Sequence, residues 1–268
     1  MKLIVNGDDF GSSEAVNLAV AKAHDEGILT SCSLMVGESA FEQAVEIARK
    51  RPRLGVGLHL VTVLGKAVLP ASEIPTIVDS KGYFPNSPVR AGLRYFFLPS
   101  AKAHLRREIK AQMQRFVSTG LKCSHIDGHL HMHLHPTVFP MVIEIAREYD
   151  VKYVRLPREN LSLSLTINSR HKLHKYLLWF TFWLLCKYAK LYLQDIGAVE
   201  QVYGLLETGR VTESYLVALL ERLSCDTAEV YLHPQVGENQ AELDALLSLR
   251  VKSLIKAKAI ELVSYHQL

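Results

Sequence analysis

The chain has 268 residues, 49% of them hydrophobic, with 22% charged residues and a formal net charge of +4. That is apolar content enough for one sizeable core, and the mild basic excess lacks the Lys/Arg-dense, aromatic-interleaved stretches of a nucleic-acid binder, so no nucleic-acid partner is expected. Cys32, Cys123, Cys186 and Cys225 lie far apart with no CxxC pair, which argues against a disulfide scaffold or a cysteine zinc site and suits a reducing cytoplasm.

Residues 1–6, Met-Lys-Leu-Ile-Val-Asn, read at once as a buried strand and not as an export signal, so a cytoplasmic chain is expected. The strand proper, 3–6, ends in Gly7-Asp-Asp-Phe-Gly11, where two glycines make a tight turn easy. Ser12 or Ser13 can cap a helix over 14–26. A second strand follows at 29–36, then a helix over 39–51 stopped by Pro52, and a third strand at 54–60 carrying His59. Residues 65–100 hold Gly65, Pro70, Pro75, Gly82, Pro85, Pro88 and Pro99 and read as a long, turn-rich insertion of the kind that often carries function.

A helix over 101–119 stops at Gly120, and a fourth strand, 122–127, delivers Ser124-His-Ile-Asp-Gly-His-Leu-His-Met-His-Leu-His-Pro136. His125, Asp127, His129, His131, His133 and His135 all have odd numbers, so an extended chain would put them on one face; a helical turn after Gly128 would instead align His129 with His133. Beyond lie a helix over 137–149 and a strand over 151–156 ending in Arg155-Leu-Pro-Arg158. A strand near 199–206 and a helix over 212–223 come next. A strand over 229–232 delivers His233-Pro234, and a helix over 240–257 and a strand over 260–263 complete the chain.

Strands alternate with helices, and most strands are continuous apolar runs, which predicts an α/β fold with parallel strands covered by helices. Polar residues gather just after the strands: Asp8 and Asp9, His59, Asp127 and His129, Arg155, His233. A single-domain (β/α) barrel places its active site in this way. An open doubly wound sheet is the alternative, but the phosphate loops GxGxxG and GxxxxGK[ST] are absent.

Two adjacent carboxylates brought to one opening can divide the work, one on a metal and one as a base. Two imidazoles and a carboxylate with one coordination position open to water make a hydrolytic metal site. His233 arrives from a distant strand and is the candidate general acid. Taken singly, each of these residues has a plainer reading: helix capping for the Asp pair, core packing for His59 and His233.

Taken together, Asn6-Gly-Asp-Asp-Phe-Gly11, Gly57-Leu-His-Leu60, His125-Ile-Asp-Gly-His-Leu-His-Met-His133, Val154-Arg-Leu-Pro157 and Tyr231-Leu-His-Pro234 resemble the YdjC family of carbohydrate deacetylases, related to the NodB-type enzymes. The resemblance spans nearly the whole chain, 1–268, and implies a distorted (β/α) barrel, one divalent metal ion (zinc or magnesium) and hydrolysis of an N-acetyl group from an N-acetylated sugar. Carried over by position, it makes Asp8 the base, Asp9, His59 and His129 the metal ligands, and His233 the acid. NodB-type enzymes would take His129 and His133 as a ligand pair; the YdjC pattern takes His59 instead. Asp127, His131 and His133 then become supporting or substrate-facing groups.

The stretch 176–186, Tyr-Leu-Leu-Trp-Phe-Thr-Phe-Trp-Leu-Leu-Cys, lies in an apolar helical insertion near 170–192, with Arg170, Lys172, Lys175, Lys187 and Lys190 around it. It is too short to span a bilayer, which takes ~20 residues. It suits a helix lying on a membrane or covering a lipid, and equally a core or homo-oligomer interface. The resemblance includes a branch associated with hopanoid lipids, which implies an N-acetylglucosaminyl glycolipid as substrate and a place at the inner membrane surface. Tyr83 and Phe84 could stack on a sugar, and Arg155 and Arg158 could bond its hydroxyls. A soluble chito-oligosaccharide deacetylase, a metal-dependent phosphoesterase or amidohydrolase, and a non-catalytic metal-holding glycolipid-binding protein are the competing readings.

Overall fold

The computed structural model describes residues 1–237 and 240–268. In chain order the elements are β1 (Lys2–Phe10), α1 (Glu14–Glu26), β2 (Ser31–Leu34), α2 (Phe41–Arg49), β3 (Gly55–Leu60), α3 (Pro88–Phe97), α4 (Pro99–Ser118) and β4 (Cys123–Gly128). A 3-10 turn, His129–Leu134, follows, then α5 (Val138–Glu148), α6 (Leu161–Ile167), α7 (Lys172–Leu193), β5 (Gln201–Tyr203), α8 (Glu213–Arg222), β6 (Thr227–Leu232), α9 (Gln240–Leu247), α10 (Leu249–Ala257) and β7 (Glu261–Leu262).

The sheet runs β4-β3-β2-β1-β6-β5, with β7 also on β1, and every ladder is parallel. β2 and β3 are buried along their whole length, as strands covered on both faces are. The gap between β4 and β5 is spanned by the chain at 153–158. Val154 bridges Ile126, Tyr153 bridges Gly197, and the Val202 amide donates to the Arg158 carbonyl. The result is an incompletely closed (β/α) barrel, the distorted barrel that the family resemblance implies.

Four expectations change. The strand over 151–156 is reduced to isolated bridges, cut short where Pro157 has no amide to donate. The 65–100 insertion contains a regular helix, α3, whose cap Ser87 accepts from the Arg90 amide while Pro88 opens the first turn. The helix over 240–257 is two helices, broken at Ser248, whose hydroxyl caps α10 by accepting from the Val251 amide. The first strand does not stop at Asn6 but runs through both aspartates to Phe10.

A close approach sets the spacing of β3 and β4. A Cβ on Gly57 would sit 2.3 Å from the His125 ring. That ring stacks on Tyr265 at 4.1 Å and belongs to the packed interior. Among the described residues, no helix is long and apolar enough to cross a membrane.

Candidate metal and catalytic centre

Along a regular strand Asp8 and Asp9 would face opposite sides. β1 escapes this alternation because Asp9 has φ 63° and the β1–β2 register shifts between Gly7 and Phe10. A bulge of this kind re-aims side chains at a barrel rim. Asp8 ends buried and Asp9 half-buried, both at the carboxyl end of the sheet.

Asp9 Oδ1 lies 3.2 Å from His59 Nε2, delivered by β3, and 3.0 Å from His129 Nδ1, at the first residue after β4. One ligand atom from each of the three falls within 4.8 Å of the others. The opposite edge of His59 is fixed: Nδ1 donates to Asp127 Oδ1 at 2.8 Å and lies 3.1 Å from Ser33 Oγ. This leaves Nε2 to face Asp9, the arrangement that orients a metal-ligating imidazole.

The electrostatics carry an imbalance. Burial works to raise the Asp9 carboxyl, but the imidazoles of His129 and His59 hold it well below the usual carboxylate range. Burial works to lower His59, yet Asp127, Asp9 and Asp8 push it up to about 10. Four carboxylates, Asp8, Asp9, Asp127 and Glu229, crowd here against one guanidinium, Arg155. The donor set and its surplus of negative charge fit a divalent cation at Asp9, His59 and His129.

Asp8 is held from below. Arg155 donates to both its oxygens, at 2.7 and 2.8 Å, and the Asn6 amide adds a bond of 2.8 Å. Arg155 also pairs with Asp127 Oδ2 at 2.8 Å and Glu229 Oε1 at 2.7 Å, and its guanidinium lies 4.6 Å from the Tyr231 ring centre. It is 0% exposed, so it cannot meet a sugar hydroxyl; its expected role there is replaced by clamping carboxylates.

His133 Nε2–H donates to the Arg155 carbonyl at 2.9 Å, which turns it away from Asp9; burial takes its pKa down to about 4. His59, not His133, therefore stands with Asp9 and His129. His131, also held neutral by burial, bonds the Tyr231 hydroxyl at 2.8 Å. The 3-10 turn and the left-handed Leu130 and His131 separate the odd-numbered residues. His125 points into the core and His135 packs against Tyr95.

A cavity of about 310 Å³ opens beside this group. Asp8, His59, His129, His131, Tyr231 and His233 line one side, and Leu130, Leu178, Phe182, Leu205 and Leu206 another. Tyr83 stands 46% exposed in an adjoining cleft shared with Asp9 and His129, whereas Phe84 is buried and offers no stacking surface. Arg158 lies elsewhere, donating to the Val199 carbonyl and lining a separate cavity. Ser33 and Glu229 escape the sequence reading, and Asn6 and Tyr231 stand in its motifs without a role; Glu229, a lone charge inside an apolar strand run, carried the signal that could have pointed to the Arg155 cluster.

The family model for YdjC-like proteins matches residues 2–257. The chain belongs to the YdjC-like family. Among curated YdjC-like relatives, a carbohydrate deacetylase of Brevibacillus brevis is 42% identical over 179 residues, 64% of this chain and 68% of that protein. A carbohydrate deacetylase of Geobacillus stearothermophilus is 40% identical over 146 residues, 54% of this chain and 56% of the relative. The match thus spans between about half and two thirds of these relatives. Among solved structures, an Enterococcus faecalis V583 protein provisionally assigned to cellobiose-phosphate cleavage superposes with TM-score 0.77 at 25% identity, covering 99% of this chain and 98% of the other.

Proposed function

We propose that this YdjC-like protein is a metal-dependent carbohydrate deacetylase that removes the N-acetyl group from an N-acetylglucosamine-containing substrate. The observation that carries the reading is a cavity lined by Asp8, His59, His129 and His233, with Asp9 meeting His59 and His129 from the adjoining cleft. Relatives named carbohydrate deacetylase support it.

Asp9, His59 and His129 would hold the cation, which supplies polarisation of the acetamide carbonyl and acidification of a water. Asp8 is placed to accept a proton from the attacking water as the water's oxygen bonds to the carbonyl carbon. Arg155 keeps Asp8 aimed, while Asp127 keeps His59 in register. When the C–N bond breaks, His233 protonates the departing amine, and the products are acetate and the free amino sugar. His131 and Tyr231 shape the wall against which the sugar rests, with Tyr83 at the adjoining cleft.

The substrate we favour is an amphiphile, an N-acetylglucosaminyl lipid of the hopanoid type, met at the inner surface of the membrane. Leu178 and Phe182 of α7 and Leu130, Leu205 and Leu206 form an apolar wall directly beside the polar centre. A soluble chito-oligosaccharide has little use for such a wall. Acetate release from diacetylchitobiose and from an N-acetylglucosaminyl lipid, with and without chelator, tests both levels. Release from neither substrate, or phosphate release from a phosphorylated disaccharide instead, overturns the deacetylase reading; release only from chitobiose overturns the lipid.

A further inference from the structure

α7 presents three sides to different surroundings. At 3.6 residues per turn, His174, Leu178 and Phe182 share the flank that lines the site cavity. Leu173, Leu177, Phe180, Leu184 and Leu191 share the outward face, between 44% and 74% exposed. The third flank, Trp179, Trp183, Lys187 and Lys190, walls a separate cavity of about 460 Å³ whose opposite side includes Arg158.

That cavity is cationic and aromatic together. The two indoles stack at 6.2 Å, and the Lys187 ammonium lies 5.3 Å from the Trp183 ring centre. Arg158 donates from one terminal nitrogen to the Val199 carbonyl, but its buried Nε has no hydrogen-bond partner among the described residues. Glu159, the carboxylate on the wall, is turned to the Ser164 hydroxyl and the Leu206 amide. Over its length α7 carries Lys172, Lys175, Lys187 and Lys190 and no acidic residue.

We propose that this cavity takes the phosphate headgroup of an anionic phospholipid, with α7 lying on the bilayer and its outward leucines and Phe180 in the acyl boundary. The guanidinium of Arg158 and the ammonium groups of Lys187 and Lys190, lining one cavity, suit a phosphate. Indoles beside basic residues belong at a membrane interface. Five large apolar side chains exposed along one helix face mark an interaction surface. The inference deepens the glycolipid reading and rests on it for why the protein meets a bilayer; its binding test contains no sugar, so the two fail separately.

The full chain is floated with phosphatidylcholine vesicles and with vesicles containing phosphatidylglycerol. Both tryptophans of the chain lie in α7, so their emission reports on the contact itself. Partition and a blue shift with the anionic vesicles alone are expected. Lys187→Gln and Lys190→Gln should each weaken partition about five-fold, and Phe180→Ser with Leu184→Ser should abolish the blue shift. All these variants should keep the far-UV circular dichroism and melting temperature of the unmodified chain, which certifies their fold. No partition, or equal partition onto both vesicle types, overturns the proposal. So does the same emission shift with inorganic phosphate alone, which would mark a soluble-anion site. A stable dimer in light scattering that the Phe180→Ser, Leu184→Ser variant dissociates would assign the face to a second copy and overturn it too.

Discussion

At the scale of single residues, the site depends on Asp9 leaving the strand alternation. Its φ of 63° is uncommon for a side chain other than glycine, although Asp tolerates it better than most. Two neighbouring carboxylates thereby reach one opening with different partners: Asp8 with a guanidinium, Asp9 with two imidazoles. Replacing Asp8 by Asn should lower kcat by about 10²–10⁴-fold while metal content, measured by elemental analysis, stays unchanged. Near-normal turnover would remove Asp8 as the base. Arg155→Met should cost about 3–5 kcal/mol in urea unfolding, because Asp8, Asp127 and Glu229 lose their shared cation. An unchanged midpoint would show that the carboxylates find another partner.

At the scale of elements, α6 and α7 are seated by buried polar groups as well as by apolar packing. Lys175 pairs with Glu207, and the Trp179 indole donates to the Glu159 carbonyl. Burial pushes the Glu159 carboxyl up to about 7 from its ordinary 4.5, against the bonds from Ser164 and Leu206. The folded protein therefore binds this proton more tightly than the unfolded chain. Stability from this group is fully present below the unfolded value and is lost as pH rises through about 7. Glu159→Gln should remove that loss, so that its melting temperature gains on the parent between about pH 5 and pH 8. A pH-independent difference would mean that Glu159 is already charged when folded. The elements also show where sequence patterns misread boundaries. The turn-rich look of 65–100 hid α3, because Pro88 starts a helix as readily as it ends one. Ser248 split a continuous apolar pattern because its hydroxyl could cap a new helix.

At the scale of the whole molecule, the barrel brings together strand ends that lie far apart in the chain, from Asp8 to His233. A divalent ion bound only by the folded arrangement of Asp9, His59 and His129 should stabilise it by about 2.7 kcal/mol at a hundredfold excess over Kd. Chelation should accordingly lower both the melting temperature and acetate release, and zinc should restore both. A melting temperature indifferent to metal would separate these residues from any cation. The alternation of elements, the parallel apolar strands and the polar strand ends were legible in the sequence, because hydrophobic period and residue type are local properties. Asp8, Asp9, His59, His129 and His233 stood out for that reason; Asp8, His59, His129 and His233 line one cavity, and Asp9 the cleft that adjoins it at His129. Which of the clustered histidines face it was not legible. His125 faces the core from β4, while the left-handed backbone at Leu130 and His131 sends the equally spaced His131, His133 and His135 to different surroundings. The same holds for Arg155, whose exposed or buried fate depends on carboxylates up to 147 positions away. Local pattern determined the barrel and its polar rim. Long-range burial, which decides what each charge must pair with, determined the centre.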